Sequence, residues 1–181
     1  MSNERDPGDE QPGFWMVFDV ESIGLHGPAF AVGWVVIDRV GMEHEAGELY
    51  TPPAPIRAAT DDHAWIAANV THSECAVQCD SAEDVRSRFW ERFAHWREHG
   101  AVLCAEVPWP VEASFLSDCI NDSYFDRKWA GPYPLIDVAS VRYAAGLDPL
   151  ATEPRLPGEM PAHNALADAR QSARLLMEAL S

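Results

Sequence analysis

Two carboxylates separated by one residue lie near the start of the sequence, at Asp19 and Glu21. They close a short apolar run, 14–20, whose aromatic and β-branched residues predict a buried strand. Side chains two apart on a strand share a face, so the two carboxylates would repel each other unless a cation joins them. Hard divalent ions prefer oxygen ligands, and the pair therefore predicts a site for Mg²⁺ or Mn²⁺. A solvent-exposed strand end is the alternative interpretation.

A second candidate group lies near the other end of the chain, where His163-Asn164 is followed by Asp168. Five residues of continuous helix turn through roughly 500°, so a histidine and an aspartate at this spacing would not share a face. If Asn164 is the N-cap, His163 precedes the helix and Asp168 lies in or near its first turn. That arrangement suits a rigid metal ligand beside a general base. A capping segment with an incidental histidine is the alternative.

The elements that would position these residues follow from the hydrophobic pattern. Three strands come first and are followed by alternating helices and strands, which predicts an α/β fold with a mixed sheet covered by helices. The prediction is one domain over 14–181, preceded by an acidic, Pro- and Gly-rich leader over 1–13 that we expect to be disordered. The predicted strands are 14–20, 29–38, 42–50, 101–107 and 133–136. The predicted helices are 61–70, 81–99, 111–120, 138–145 and 164–180, and 148–162 is a proline-rich loop.

Both candidate groups resemble motifs of the DEDDh 3′→5′ exonucleases, the ribonuclease H-like family that includes proofreading subunits, oligoribonuclease and ribonuclease T. The segment 18–25 is similar to the first motif, an apolar residue followed by Asp-x-Glu-Thr-Thr-Gly-Leu, with Ser22 and Ile23 in place of the threonines. The segment 163–169 resembles the third motif, His-Asn-Ala-x-x-Asp-Ala.

The middle motif departs from the family pattern, Asn-x-x-Phe-Asp-x-x-Phe-Leu. The corresponding stretch is 108–116, and counting back from Phe115-Leu116 puts Glu112 where the family has aspartate. Glutamate keeps the charge and adds one methylene. Glu106, at the end of the preceding strand, is the competing candidate for the same role.

The resemblance implies a ribonuclease H-like mixed sheet with three antiparallel strands, then parallel strands, flanked by helices. It also implies two divalent cations, Mg²⁺ or Mn²⁺, held by Asp19, Glu21, Glu112 and Asp168, with His163 as general base. The expected reaction releases nucleoside 5′-monophosphates from the 3′ end of a single-stranded RNA or DNA. Relatives of this type are often dimers, so a homodimer is a further expectation. Trp109 either stacks on the terminal base or packs beneath its turn.

The formal net charge of −16 argues against a processive duplex binder, because phosphate contacts need basic residues. It remains compatible with an enzyme that holds a short end through metal ions. Two other functions stay open: a nucleic-acid- or protein-binding module on the same fold, and a hydrolase of dinucleotides or small phosphodiesters. The four cysteines predict free thiols in a cytoplasmic protein without a membrane span. A zinc site at His72, Cys75 and Cys79 lacks a second ligand pair and is disfavoured.

Overall fold

The structure, a computed structural model, describes residues 13–55 and 60–181. The leader predicted for 1–13 lies, except for Gly13, outside the described residues. No helix within the described ranges is long and apolar enough to cross a bilayer. The elements, in chain order, are β1 (Phe14–Ser22), β2 (Ala29–Asp38), β3 (Glu43–Tyr50), α1 (Thr60–Asn69), β4 (Val77–Gln78), α2 (Ala82–Glu98), β5 (Ala101–Ala105), α3 (Val111–Asp122), α4 (Tyr124–Arg127), β6 (Leu135–Asp137), α5 (Val138–Ala144) and α6 (Ala165–Leu180).

The strands form one mixed sheet in the order β4-β3-β2-β1-β5-β6. β1, β2 and β3 are antiparallel neighbours, whereas β5 runs parallel to β1 and β6 runs parallel to β5. The mixed α/β sheet predicted from the sequence is confirmed. β4 and α4 were not predicted, because elements of two and four residues are too short to show a periodic pattern.

The two faces of the sheet carry separate hydrophobic clusters. Alternate residues of β1, including Met16 and Phe18, pack with residues of α2 and α3 on one face. Trp15 and Val17 pack with residues of α6 on the other face. Since side chains alternate along a strand, Asp19 and Glu21 lie on the same face of β1 as Trp15 and Val17, the face covered by α6.

Side-chain caps fix where three helices begin. Ser81, Asp137 and Asn164 accept hydrogen bonds from the backbone amides of Asp84, Ala139 and Ala167, at 3.1, 3.0 and 3.0 Å. Such caps satisfy amides that have no partner within the helix. The cap predicted at Asn164 is therefore present, and Asp137, the last residue of β6, caps α5.

Gly33 allows α6 to begin directly against the sheet. It pairs with Asp19 of β1 on one side and Glu48 of β3 on the other. A Cβ atom at Gly33 would lie 2.2 Å from the carbonyl carbon of Ala165 and from the nitrogen of Leu166. Because Gly33 has no side chain, the first turn of α6 packs directly on the sheet. Asp168, in that turn, therefore lies on the face of the sheet that carries Asp19.

We predict that Gly33→Ala lowers the free energy of unfolding by about 1–3 kcal/mol or more, because the new methyl group must displace α6. Urea denaturation measures the change. Gly131→Ala is the matched control, since its new Cβ would meet the Ile120 side chain at an ordinary 3.5 Å. Equal stability of the two variants would show that the close approach of α6 to β2 is not required.

Candidate metal centre

The end of β1 and the start of α6 bring three metal-binding groups together. Ligand atoms of Glu21, His163 and Asp168 all lie within 4.8 Å of one another. Glu21 is the second-last residue of β1, and Asp168 lies in the first turn of α6. Residues separated by more than 140 positions in the sequence thus share one site.

Asp19 is partly buried beside these groups and is surrounded by other acids. Burial raises its pKa well above the usual range, and the charges of Asp168, Glu112, Glu21 and Glu106 raise it further, in that order. The like charges around Asp19 disfavour its ionised form unless a cation is present. The other three carboxylates assigned by the family resemblance therefore all act electrostatically on Asp19.

The two candidates for the middle motif differ in their surroundings. Glu112 is buried in the first turn of α3 and acts on Asp19 more strongly than Glu106 does. A carboxylate oxygen of Glu106 accepts a hydrogen bond from the hydroxyl of Ser172, at 3.1 Å. Since Glu106 is already engaged with α6, the geometry favours Glu112 as the fourth carboxylate of the cluster.

Three further carboxyl groups have raised pKa values. Burial raises the pKa of Glu21 to about 7, with the charge of Asp168 as the next cause. Burial raises the pKa of Glu112 to about 7 as well, although backbone hydrogen bonds oppose the shift. Burial also raises the pKa of Asp168, against the stabilising charges of Arg155 and His163. Clustered carboxyl groups with raised pKa values are typical of functional sites.

His163 adopts a conformation that is rare outside glycine, with φ at 59°. Its backbone amide donates to Oδ2 of Asp168 at 3.0 Å, and its carbonyl accepts from the amide of Thr71 at 3.0 Å. The imidazole is exposed and packs edge-on against Trp65, with ring centroids 4.8 Å apart. Backbone strain of this kind persists where surrounding contacts hold it, and it is common in active sites.

A hydrogen-bonded pair with a buried glutamate anchors the segment that holds His163. Glu48 is 1% exposed and accepts hydrogen bonds from Nδ1 of His72 at 2.7 Å and from the amide of Ser73 at 2.9 Å. Tyr50 stacks on the His72 ring at 3.8 Å between centroids. The neighbouring Thr71 is bonded to both His163 and Asn164, the latter through Nδ2 at 3.1 Å. The two contacts of Thr71 connect this anchor to the start of α6.

A cavity of about 280 Å³ opens beside the carboxylate cluster, and Glu21 is part of its wall. Trp65 and Leu25 contribute large apolar surfaces to it. Trp109 is 73% exposed and is absent from the described residues that line this cavity. The exposure disagrees with packing of Trp109 beneath its turn and leaves its ring accessible. The lining residues are Val20, Glu21, Ser22, Gly24, Leu25, Asp62, Trp65, Ile66 and Val111.

The donor set fits a hard divalent cation. It offers carboxylate oxygens and one imidazole, and Oδ1 of Asp168, which is buried, contacts the guanidinium of Arg155. Oxygen-rich sites of this kind suit Mg²⁺ or Mn²⁺, whereas thiolate ligands suit zinc. Within 13–55 and 60–181 the histidine at position 72 belongs to the Glu48 pair, and the only group placed to share an ion is Glu21, His163 and Asp168.

Three residues near the site, Arg155, Trp65 and Glu48, are not indicated by any pattern in the sequence. Arg155 ion-pairs with Asp168, Trp65 borders the cavity, and Glu48 pairs with His72. Each of these contacts joins segments far apart in the chain or lies in an irregular loop. No spacing rule predicts such contacts, although Glu48 is a charged residue within a predicted strand.

We predict that the metal-free protein loses stability as the pH rises. Glu21 and Glu112 have a usual pKa of 4.5 and a folded pKa of about 7. A raised folded pKa stabilises the fold below the usual value, and this contribution is lost as the pH rises through the folded value. The melting temperature should therefore fall from about pH 4.5 to 7 more steeply in the wild type than in E21Q/E112Q, whose neutral amides cannot ionise.

Adding Mn²⁺ at pH 7.5 should raise the melting temperature of the wild type but leave the double variant nearly unchanged. Groups elsewhere titrate identically in both proteins, so the difference isolates the cluster. Parallel pH profiles for the two proteins would contradict the assignment of a strained carboxylate cluster.

Neither a protein-family profile nor a curated protein sequence matches this chain. Solved structures of exonuclease I share its fold, and the chain spans about two fifths of their length. The zinc-bound complex of Escherichia coli exonuclease I with single-stranded DNA has a TM-score of 0.55 and 14% identity, over 91% of this chain and 39% of that one. Exonuclease I of Methylocaldum szegediense gives 0.55 and 17%, over 91% and 40%. The ribonuclease H-like fold predicted from the sequence is thereby confirmed.

Proposed function

We propose that this chain is a metal-dependent 3′→5′ exonuclease that releases nucleoside 5′-monophosphates from single-stranded nucleic acid. The main support is the meeting of Glu21 with His163 and Asp168, whose ligand atoms lie within 4.8 Å of one another, beside Asp19, whose pKa the charges of Asp168 and Glu21 raise. Several solved structures of exonuclease I with the same fold are complexes with single-stranded DNA or deoxyoligonucleotides. Single-stranded DNA is therefore the first substrate to test.

Asp19, Glu21, Glu112 and Asp168 would hold the divalent ions. The charges of the other three all act on Asp19, which suits it to share in holding the ions. Divalent ions held by these residues would supply a water molecule of lowered pKa and positive charge to neutralise the scissile phosphate. The ionised carboxylates would fix the positions of the cations, and the cations would in turn orient the phosphate.

His163 would accept the proton of the attacking water. An imidazole has a usual pKa near 6.5 and can take up a proton near neutral pH. The water oxygen forms the new bond to phosphorus, and the bond from phosphorus to the 3′-oxygen breaks. The leaving oxygen takes a proton from solvent. The hydrogen bonds to Thr71 and Asp168 hold the backbone of His163 in place for this role.

The cavity beside Glu21 would receive the terminal nucleotide. Its apolar walls at Leu25 and Trp65 suit a nucleobase, and Glu21 is the wall residue that belongs to the carboxylate cluster. Stacking on an aromatic ring contributes about 1–3 kcal/mol for any base. Trp109, which is exposed, remains a candidate for stacking on the next base along the strand. A short binding site of this kind is compatible with an acidic protein, since the cations supply the positive charge.

We predict that two variants separate metal binding from proton transfer. Asp19→Asn should abolish Mn²⁺-dependent release of mononucleotides and weaken Mn²⁺ binding strongly, because it removes one of the charges that hold the ions. His163→Ala should retain Mn²⁺ affinity but lose about 10²–10⁴-fold of the rate, the usual contribution of a general base. Calorimetry with Mn²⁺ and a nuclease assay on a 3′-labelled oligonucleotide measure both properties.

Asp118→Asn is the matched control, since this aspartate is exposed on α3 away from the cluster. Wild-type activity in Asp19→Asn would overturn the assignment. The same assay separates the alternatives: a binding module would bind the oligonucleotide without releasing mononucleotides, and a small-phosphodiester hydrolase would cleave dinucleotides in preference to longer strands.

A further inference from the structure

We propose that Arg155 is a substrate-phosphate-binding residue, held by Asp168 in the metal-free protein and released when a divalent cation takes over that carboxylate. The inference rests on the proposed function, because it assumes that Asp168 binds metal and that the substrate carries a phosphate. It adds a residue that neither the family motifs nor the spacing of acids indicates.

Arg155 lies at the edge of the carboxylate cluster. Its Nη1 contacts Oδ1 of Asp168 and also donates to the carbonyl of Glu159 at 2.8 Å. Among the described residues, its Nε and Nη2 groups have no hydrogen-bond partner, and the side chain is 23% exposed. A guanidinium has donors in a planar fork that matches the oxygens of a phosphate. One nitrogen of Arg155 is therefore anchored, while two others carry donors that a phosphate could use.

The loop that carries Arg155 is held on both sides by ion pairs. Before it, Glu153 accepts from Arg142 at 2.6 Å, and the Arg142 side chain is 3% exposed. After it, Glu159 accepts from Nε and Nη2 of Arg174 at 2.7 and 3.1 Å. Arg174 also donates to the carbonyl of Pro154 at 3.0 Å. Anchors on both sides fix the backbone of Arg155, so its approach to Asp168 is a built-in feature of the loop.

Charge determines what the guanidinium does when a metal ion arrives. A divalent cation and Arg155 compete for the same oxygen of Asp168, and the cation carries the larger charge. Once displaced, Arg155 keeps its bond to the Glu159 carbonyl and remains a positive charge at the edge of the cluster. A phosphate drawn to the metal ions then finds a second, planar partner, which orients it for attack.

The test compares wild type, Arg155→Met and Arg155→Lys by calorimetry. Mn²⁺ alone should bind Arg155→Met several-fold more tightly than wild type, because the competing cation is gone. At saturating Mn²⁺, thymidine 5′-monophosphate should bind Arg155→Met roughly 10- to 100-fold more weakly, the usual loss for a charge-assisted hydrogen bond. Arg155→Lys keeps the charge but not the fork, and should recover part of both properties.

Arg170→Met is the matched control, since Arg170 on α6 pairs with Glu43 and not with the cluster. Melting temperatures check that each variant folds, and Arg155→Gln replaces the methionine variant should that one unfold. Affinities for Mn²⁺ and for the nucleotide that equal those of Arg170→Met would overturn the role of Arg155. Absence of Mn²⁺ binding by the wild type would instead overturn the proposed function itself.

Discussion

Mutual repulsion among carboxylates is the constraint around which this protein is arranged. The charges of Glu21, Glu112 and Asp168 all act on Asp19 at one end of the sheet, and burial removes part of the water that would screen them. A fold accepts such a cost only where the rest of the structure holds the groups in place. The same repulsion is what a divalent cation relieves, so the features that destabilise the metal-free protein are the ones that would make it bind metal.

Packing far from the charges enforces this arrangement. The apolar face of α6 is buried against β1 and β2, and Gly33 leaves room for the helix to start directly over the sheet. The hydrogen bond from His72 to the buried Glu48 secures the segment that bonds to His163. The site is therefore held by the packing of α6 on the sheet and by the hydrogen bonds of the segment that precedes β4.

Much of the fold and of the acidic cluster follows from local patterns. Alternation along β1 predicts that Asp19 and Glu21 share a face, and the cap at Asn164 predicts that His163 precedes the helix. Both features depend on neighbours in the sequence, which is why a sequence reveals them. The choice between Glu106 and Glu112 depends instead on whether Ser172 of α6 engages the former, a contact 66 positions away.

The contacts of Arg155 and Glu48 illustrate the same limit. Both depend on where a loop or strand comes to lie after folding, and neither residue stands at a characteristic spacing from its partner. The 148–162 segment was predicted as a loop, but its composition does not reveal that Arg142 and Arg174 anchor it. The positions of these residues therefore depend on contacts between side chains distant in the sequence, which no local pattern indicates.

Anomalous diffraction from crystals soaked with Mn²⁺ and a nucleoside monophosphate tests the central claim most directly. We expect manganese peaks bound by Asp19 and Asp168, with Glu21 and Glu112 completing the ligands and Glu106 still bonded to Ser172. Manganese bound elsewhere, with these carboxylates left without an ion at saturating concentration, would contradict it.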